Sequence, residues 1–337
     1  MRTVSGAAVP FTFAVILSAF SVCFTSCTKE DAGQVSGDVI EFSADLDSPQ
    51  PSKAVTPTTA TTLQSGFKVA VTRYGVDGSV SCIDATTKYV SSKYQIKEYQ
   101  YSLWQPQYSR IDVLAFDNNL TLTKKDNLPY LVKPTSTATL SDYVVADATN
   151  RTRAMGEIPL TFRHIASTLN ILAKTDNSSV TVKLTKVTLH RPKIAGLQGY
   201  ILSEKRWRFM NTLDEKEDIA LVTNARTLTT AYPTLTSVSA YLARTESTAT
   251  GQLNFTNTAL VIPTEEPQSL TVKWDIYDSS NKLLDTFTKD IAITFIQGRL
   301  NLLWLNFTYD NEVQFTITAA GQSFENITGT GNVTYAW

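Results

Sequence analysis

One stretch of the sequence decides the fold class: Ser269-Leu270-Thr271-Val272-Lys273-Trp274-Asp275-Ile276-Tyr277, then the polar turn Asp278-Ser279-Ser280-Asn281-Lys282, then Leu283. Apolar side chains stand at every second position of its first part, the period of a strand whose successive side chains point to opposite faces. Two such runs joined by a short polar turn predict a β-hairpin. Similar alternating runs recur from residue 67 to residue 318, so we expect an all-β protein with at most one or two helical turns near Leu213 to Ile219.

Length and composition limit the range of possible functions. The 337 residues fit about two domains at roughly 150 residues each. Lys and Arg number 30 against 31 Asp and Glu, so no summed positive field exists to attract a nucleic acid, and we expect no nucleic-acid partner. His164 and His190 are the only imidazoles among residues 1–337, and the three cysteines allow no internal disulfide framework. We therefore predict no enzyme, no metal and no cofactor.

The N-terminus predicts export. After Met1-Arg2 comes an apolar run at residues 11–24, about 14 residues long and too short for a permanent membrane-spanning helix. It ends in Phe24-Thr25-Ser26-Cys27, which resembles a lipoprotein signal, so residues 1–26 are expected to be a signal peptide. Cys27 would then become the acylated (palmitate-bearing) first residue. An ordinary secreted protein with a chance cysteine is the alternative.

A short strand precedes the rest. Residues 39–46 alternate, and Ile40, Phe42, Ala44 and Leu46 share one face. Behind them residues 47–57 contain three prolines, which cannot donate to a ladder. Spacing alone predicts an edge strand followed by a loop. A polar stretch at residues 150–156 marks a domain boundary, which divides the chain into sandwiches at 54–157 and 158–337.

Several tracts carry a family resemblance, and their order along the chain matters more than any one of them. They are Asp142-Tyr143-Val144-Val145-Ala146-Asp147, Ile158-Pro159-Leu160-Thr161-Phe162-Arg163-His164, Leu260-Val261-Ile262-Pro263 with Leu270-Thr271-Val272, Gly298-Arg299-Leu300-Asn301-Leu302, and the closing Trp337. Over essentially its whole length the chain resembles fimbrillin-like (Mfa-like) proteins, the subunit lipoproteins of type V pili on outer membranes. The resemblance implies two tandem transthyretin-like β-sandwich domains.

The resemblance also implies an assembly mechanism. Residues 27–53 would be a tether and a removable first strand, with Ile40, Phe42, Ala44 and Leu46 as the departing plug. A protease would cut behind this strand, and the groove would accept a donor strand from a neighbouring subunit. Lys53-Ala54 stands where the family typically shows Arg-Ala. Either another trypsin-like protease cuts here, or the chain stays unprocessed and lipid-anchored.

The expected partners follow from this mechanism. They are other fimbrial subunits through strand exchange, the outer membrane through the lipid, and a host protein or glycan in adhesion. We expect a surface-exposed position on the cell outer membrane and, after processing, in the fimbrium. The candidate donor strand carries Val313, Phe315 and Ile317, with residues 332–337 as a second short strand. Whether these strands are donated or kept stays open; a tip or minor shaft component is favoured.

Two alternatives use the same leader: an unprocessed anchor subunit and a monomeric glycan-binding surface lipoprotein. The second would need exposed aromatics, and the candidates are Trp104, Trp207, Trp274 and Trp304. We expect Trp207 at the surface, because Lys205, Arg206 and Arg208 flank it. His164 is expected to be a core or interface histidine hydrogen-bonded to a neighbour, and the acidic run at residues 214–218 a solvated loop.

Overall fold

A computed structural model describes residues 39–46, 65–136, 140–210, 215–232, 259–310 and 312–320. These residues form twenty strands and three 3-10 turns (Tyr99–Tyr101, Arg153–Met155 and Ile194–Gly196), so the all-β prediction is confirmed. The first nine strands are β1 Glu41–Leu46, β2 Lys68–Gly75, β3 Val80–Val90, β4 Lys93–Ile96, β5 Tyr108–Phe116, β6 Leu120–Lys125, β7 Leu128–Pro134, β8 Val144–Arg151 and β9 Ile158–His164. The others are β10 Ser167–Thr175, β11 Thr181–Pro192, β12 Leu197–Ile201, β13 Arg206–Phe209, β14 Lys216–Val222, β15 Arg226–Thr227, β16 Ala259–Val261, β17 Gln268–Tyr277, β18 Leu283–Ile293, β19 Leu300–Phe307 and β20 Val313–Ala320. Within the described ranges no helix is long and apolar enough to cross a bilayer.

Seven strands close into a barrel in the order β1-β4-β3-β2-β5-β8-β9. Closure depends on two strands that change partner along their length, as at the corners of orthogonal sandwiches. β3 pairs with β2 over residues 80–86 and then with β4 over residues 87–90. β9 pairs with β1 over residues 158–162 and with β8 at residues 163 and 164. The inward-facing side chains of these strands form one buried cluster.

The second sandwich consists of the sheets β16-β10-β19-β20 and β14-β11-β17-β18. The predicted hairpin is β17–β18, and burial along β17 alternates as its sequence does. Asp278 shapes the turn, since its Oδ1 accepts from the backbone N–H of Ser280 at 2.8 Å and of Lys282 at 2.9 Å. Asn281 takes the left-handed backbone that such a turn needs, at φ 63°. Alternating residues of both sheets fill a common core.

A third sheet, β13-β12-β7-β6, joins strands from both halves of the chain. β12 pairs with β7 through Tyr200 and Ile201, so a strand from beyond residue 158 completes a sheet begun before it. The expected boundary after residue 157 falls between β8 and β9, which pair with each other in the barrel. The second sandwich takes its first strand, β10, from Ser167. All described residues from Ile40 onward belong to one compact unit.

The helical turn expected near Leu213 to Ile219 is wrong for the part that is described. Residues 211–214 lie outside the described ranges, and β14 begins at Lys216. Acidic residues there face basic partners on β11: Asp218 Oδ1 lies 2.6 Å from His190 Nδ1, and Arg191 Nε donates to Glu217 Oε1 at 3.0 Å. These long-range pairs hold the segment extended, and they also show that the acidic run is not merely a solvated loop.

The junction between barrel and second sandwich requires a glycine. Gly298 has φ 67°, and its N–H donates to Ala166 O at 3.0 Å. A Cβ built there would lie 2.6 Å from the backbone oxygen of His164. Gly78 also has a positive φ, 84°, with nothing within 4 Å of its Cβ position.

We expect Gly298→Ala to lower the free energy of unfolding by about 1–3 kcal/mol more than Gly78→Ala. Both substitutions incur a left-handed backbone cost of about 1–2 kcal/mol, whereas only Gly298→Ala adds an overpacking cost of about 1–3 kcal/mol. Denaturant titration of the two variants measures the difference. Equal losses would show that the His164 carbonyl moves aside without cost.

Candidate functional site: the groove of the first strand

β1 lies between β4 and β9. It runs parallel to β9, with Phe42 opposite Ile158 and Leu46 opposite Phe162. It runs antiparallel to β4, with Phe42 opposite Tyr94. Ile40 N–H also donates to Ser102 O at 2.7 Å. The expectation of an edge strand is therefore wrong for the start of β1, where both edges are paired and the strand closes the barrel, whereas residues 43–46 pair with β9 alone.

The apolar face of β1 enters the barrel core, as the alternation predicts. Ile40 is 1% exposed and Phe42 is fully buried, and half-buried Ala44 packs against the same cluster. Leu46 pairs through its backbone with Phe162, but its side chain lies outside the described residues. Burial of a Phe or Ile side chain contributes about 1.5–3 kcal/mol each, so among the described side chains of this segment these two supply most of the apolar attraction to the groove.

Three aromatic residues that the sequence reasoning missed form the groove wall around Phe42. The ring of Phe67 lies 6.4 Å from that of Phe42, edge to face. Phe67 also contacts Phe162 at 5.0 Å and Tyr94 at 4.9 Å. Burial raises the pKa of the Tyr94 phenol, as expected for a ring in an apolar wall. One signal was present, because Ile158, Leu160 and Phe162 alternate as β1 does, but alternation does not reveal which strands pair.

Polar contacts lie at the end of the groove where β1 begins. Gln95 Nε2 donates to Glu41 Oε1 at 3.0 Å, across the β1–β4 pair. Lys93 and Glu157 form an ion pair between the start of β4 and the residue before β9. Pro159 stands opposite Ser43 and has no N–H to give to the ladder. The groove therefore has a floor of buried aromatic rings and few polar contacts that fix the position of β1.

The connectivity makes β1 separable from the barrel. β1 does not pair with β2, the next of the described strands, and residues 47–67 connect the two. A single backbone cut in that connection would free β1 without breaking any other link between barrel strands. The predicted cleavage residues Lys53 and Ala54, and the predicted lipidation site Cys27, lie outside the described residues.

The candidate donor strand is seated in the second sandwich of its own chain. β20 pairs with β19 along its whole length, from Val313 opposite Phe307 to Ala320 opposite Leu300. Val313 and Phe315 are buried, and half-buried Ile317 packs on the same core. The proposed second strand at residues 332–337 lies outside the described ranges.

The prediction for His164 is confirmed, and the prediction for Trp207 is wrong. His164 Nδ1 lies 2.8 Å from Asp142 Oδ1 with both side chains largely buried, which confirms a hydrogen-bonded interface histidine. Trp207 is 4% exposed and its Nε1 donates to Ile165 O at 2.5 Å, so its expected surface position is wrong. Trp104 and Trp274 are buried, and Trp304 is half-buried. Among the residues that the structure describes, no three His, Cys, Asp or Glu side chains gather where they could hold a metal ion.

Similarity to known proteins is confined to solved structures. No family model matches the chain, and neither does any curated protein. A crystal structure of a provisionally named cell adhesion protein from Bacteroides ovatus aligns with a TM-score of 0.43 at 15% identity, over 84% of this chain and 95% of that one. A second, from Bacteroides eggerthii, has a TM-score of 0.41 at 11% identity, over 85% and 97%. A provisionally named adhesin from Bacteroides ovatus has a TM-score of 0.38 at 8% identity, over 85% and 93%. At these scores the alignments assign no function to this chain.

We expect Phe42→Ala to lower the free energy of unfolding by about 3–5 kcal/mol, because it leaves a cavity beside Phe67. Asp45→Ala is the matched control in the same strand. Asp45 is exposed, so its loss should stay within about 0.5 kcal/mol. Denaturant unfolding followed by aromatic fluorescence measures both. A Phe42→Ala loss below 1 kcal/mol would mean that β1 contributes little to the closed barrel.

Proposed function

We propose that this protein is a structural subunit of a cell-surface fimbrium of the type V pilus kind. It is exported as a lipoprotein and assembled by donor-strand exchange after N-terminal cleavage, and it contributes to adhesion as a tip or minor shaft component. The observation that carries the proposal is the position of β1, an N-terminal strand inserted between β4 and β9 and joined to the barrel by one connection. The proposal rests on this arrangement and on the leader, and not on the names of the similar structures.

The groove sets requirements for an incoming strand. It must run parallel to β9 and antiparallel to β4, as β1 does. It must also present apolar side chains at alternate positions, to fill the sites of Ile40 and Phe42. Such a strand would complete two backbone ladders and one core at once. This is β-augmentation, in which main-chain hydrogen bonds give affinity and side-chain pockets give specificity.

Cleavage would change how β1 is held, although its contacts stay the same. While the chain is intact, β1 is tethered and rebinds as an intramolecular strand at high effective concentration. After a cut behind it, a strand of six residues is held by non-covalent contacts alone. A donor strand tethered to a neighbouring subunit then has the advantage of its own tether and can displace β1.

The C-terminal strand favours a terminal position in the fimbrium. β20 completes the second sandwich of its own chain, with Val313 and Phe315 in the core. A subunit that keeps this strand accepts a donor strand but does not offer β20 to the next subunit, which suits a tip component. The competing role is an unprocessed anchor, since Lys53 stands where the family resemblance implies Arg. The glycan-binding alternative loses the residue on which it mainly depended, because Trp207 is buried.

N-terminal sequencing of the protein recovered from the surface of its own cells tests the processing step. We expect a start at Ala54 in assembled material, since a trypsin-like protease accepts Lys at the cleaved position. Lys53→Ala should abolish that terminus, and Lys68→Ala is the control, because Lys68 lies in β2 behind the cleavage point. A lipidated Cys27 as the only mature terminus would contradict strand exchange and leave the anchor role.

Strand exchange can be measured without the native protease. A site for a specific protease is placed within residues 50–57, the protein is cut, and a labelled peptide of residues 38–46 is added in excess. We expect the labelled peptide to replace β1 in the cut protein but not in the uncut one. A Phe42→Ala peptide should bind at least about 100-fold more weakly, from the loss of roughly 3 kcal/mol. Equal binding of both peptides would overturn the assignment of the groove.

A further inference from the structure

We propose that Lys174 and Asn306 join through an intramolecular amide crosslink between β10 and β19, with Asp176 as the proton-transferring residue. The crosslink would form in the second sandwich and does not depend on the proposed function. Three side chains carry the inference: an amine, a carboxamide and a carboxylate that lies between them. They belong to two central strands of one sheet.

The register places the two reacting side chains together. β10 and β19 run parallel, and Lys174 and Asn306 are direct partners across the ladder. Partners in register project to the same face of a sheet. Their neighbours Ala173, Leu305 and Phe307 point into the core, so Lys174 and Asn306 share the opposite face. The sequence separates them by more than a hundred residues, and only the fold brings them side by side.

One carboxylate holds both nitrogen atoms that the reaction involves. Lys174 Nζ donates to Asp176 Oδ1 at 2.7 Å, and Asn306 Nδ2 donates to Asp176 Oδ2 at 2.5 Å. The backbone fixes Asp176, since its N–H donates to Phe307 O at 2.9 Å. These two hydrogen bonds, from Lys174 first, lower the pKa of Asp176. Asp176 is therefore ionised at neutral pH and pairs with the Lys174 ammonium, so the transfer of a proton from Nζ to Asp176 is the uphill step of the reaction.

The cluster lies at the surface, where the Asp176 side chain is 46% exposed, and aromatic rings lie on one side of it. The Lys174 side chain is 23% exposed, and its Nζ lies 5.4 Å from the ring centroid of Tyr232. Tyr232 packs edge to face on Trp304 at 4.9 Å, and burial raises its pKa to about 12.

The carboxamide is held by its nitrogen alone in the part of the chain that is described. Asn306 Oδ1 is buried and accepts no hydrogen bond from those residues. A buried amide oxygen without a donor is costly, so an ordinary hydrogen-bond network does not explain why Asn306 occupies this position. The contact with Asp176 does, because it orients the nitrogen that would leave.

The reaction balances without a further reagent. The Lys174 ammonium gives a proton to Asp176, and the neutral Nζ attacks Cγ of Asn306, forming a C–N bond. Asp176 then passes protons to Nδ2 while the bond between Cγ and Nδ2 breaks. The nitrogen of Asn306 leaves as an ammonium ion, which carries the charge that Lys174 had at the start. No group is oxidised or reduced, and Asp176 returns to its carboxylate form.

Peptide mapping of the purified full chain tests the crosslink. Trypsin does not cut at a lysine whose Nζ is acylated, so we expect a branched peptide that joins the segments containing Lys174 and Asn306. The intact protein should be lighter by one ammonia than Lys174→Arg, after correction for the substitution. Recovery of an unbranched peptide ending at Lys174 as the only species, from protein aged in solution, would overturn the proposal.

Two variants separate the crosslink from other sources of ammonia loss. An asparagine can lose ammonia by cyclising onto its own backbone, so mass alone does not decide. Lys174→Arg keeps the positive charge beside Asp176 but removes the nucleophile, and it should give no branched peptide. Asp176→Ala keeps both reacting groups, and its branched fraction should grow about 100-fold more slowly, the lower end of a general acid–base contribution. Growth at the wild-type rate would remove Asp176 from the reaction. Neither outcome bears on the exchange of β1.

Discussion

The parallel pairing of β1 with β9 is the contact on which the rest of the structure depends. It closes the barrel, and it supports the first five residues of β9, which have no other strand beside them among the described residues. β9 leads through Ile165 into β10 of the second sandwich. Ile165 is held from two sides, because its N–H donates to Tyr143 O at 2.9 Å and its carbonyl accepts from Trp207 Nε1. The structure of the junction between the barrel and the second sandwich therefore depends on the pairing of β1, a strand near the N-terminus.

The groove derives its selectivity from geometry more than from charge. Its floor is formed by rings that contact one another in tilted and edge-to-face pairs, an arrangement that fixes the outline of the pocket around Phe42. A replacement strand with a small residue at that position would leave a void, and the void would cost more than the lost contact area alone. Few polar contacts help to set the register, so the apolar alternation of the incoming strand must do so.

The sequence predicts well which segments form strands and which side of each strand is buried, but it predicts poorly which strands pair with each other. Alternation correctly assigned the buried face of β1 and the β17–β18 hairpin, because a period of two is a local property of the chain. It could not show that β1 lies between β4 and β9, since pairing depends on residues far away. For Trp207 the basic neighbours were interpreted wrongly as a sign of a surface position. Side chains alternate along a strand, so the outward-pointing Arg206 and Arg208 place the residue between them on the buried face. β14 was missed because its acids are paired with β11, about 26 residues away.

The first and the last of the described strands differ in how they are held, and in the proposed assembly this difference would order the steps. β20 lies at the edge of its sheet and has one ladder, with β19, whereas β1 has two, with β4 and β9. If β1 left in a single step, two strand edges and the aromatic floor of the groove would be exposed to water. Water can form hydrogen bonds with the exposed backbone groups, but it gives the apolar rings no comparable stabilisation. In the proposed exchange, replacement would therefore proceed residue by residue, with an incoming strand gaining pairs as β1 loses them. In that exchange, the groove would thus retain β1 after cleavage until a donor strand is present, and the barrel would stay folded in the interval.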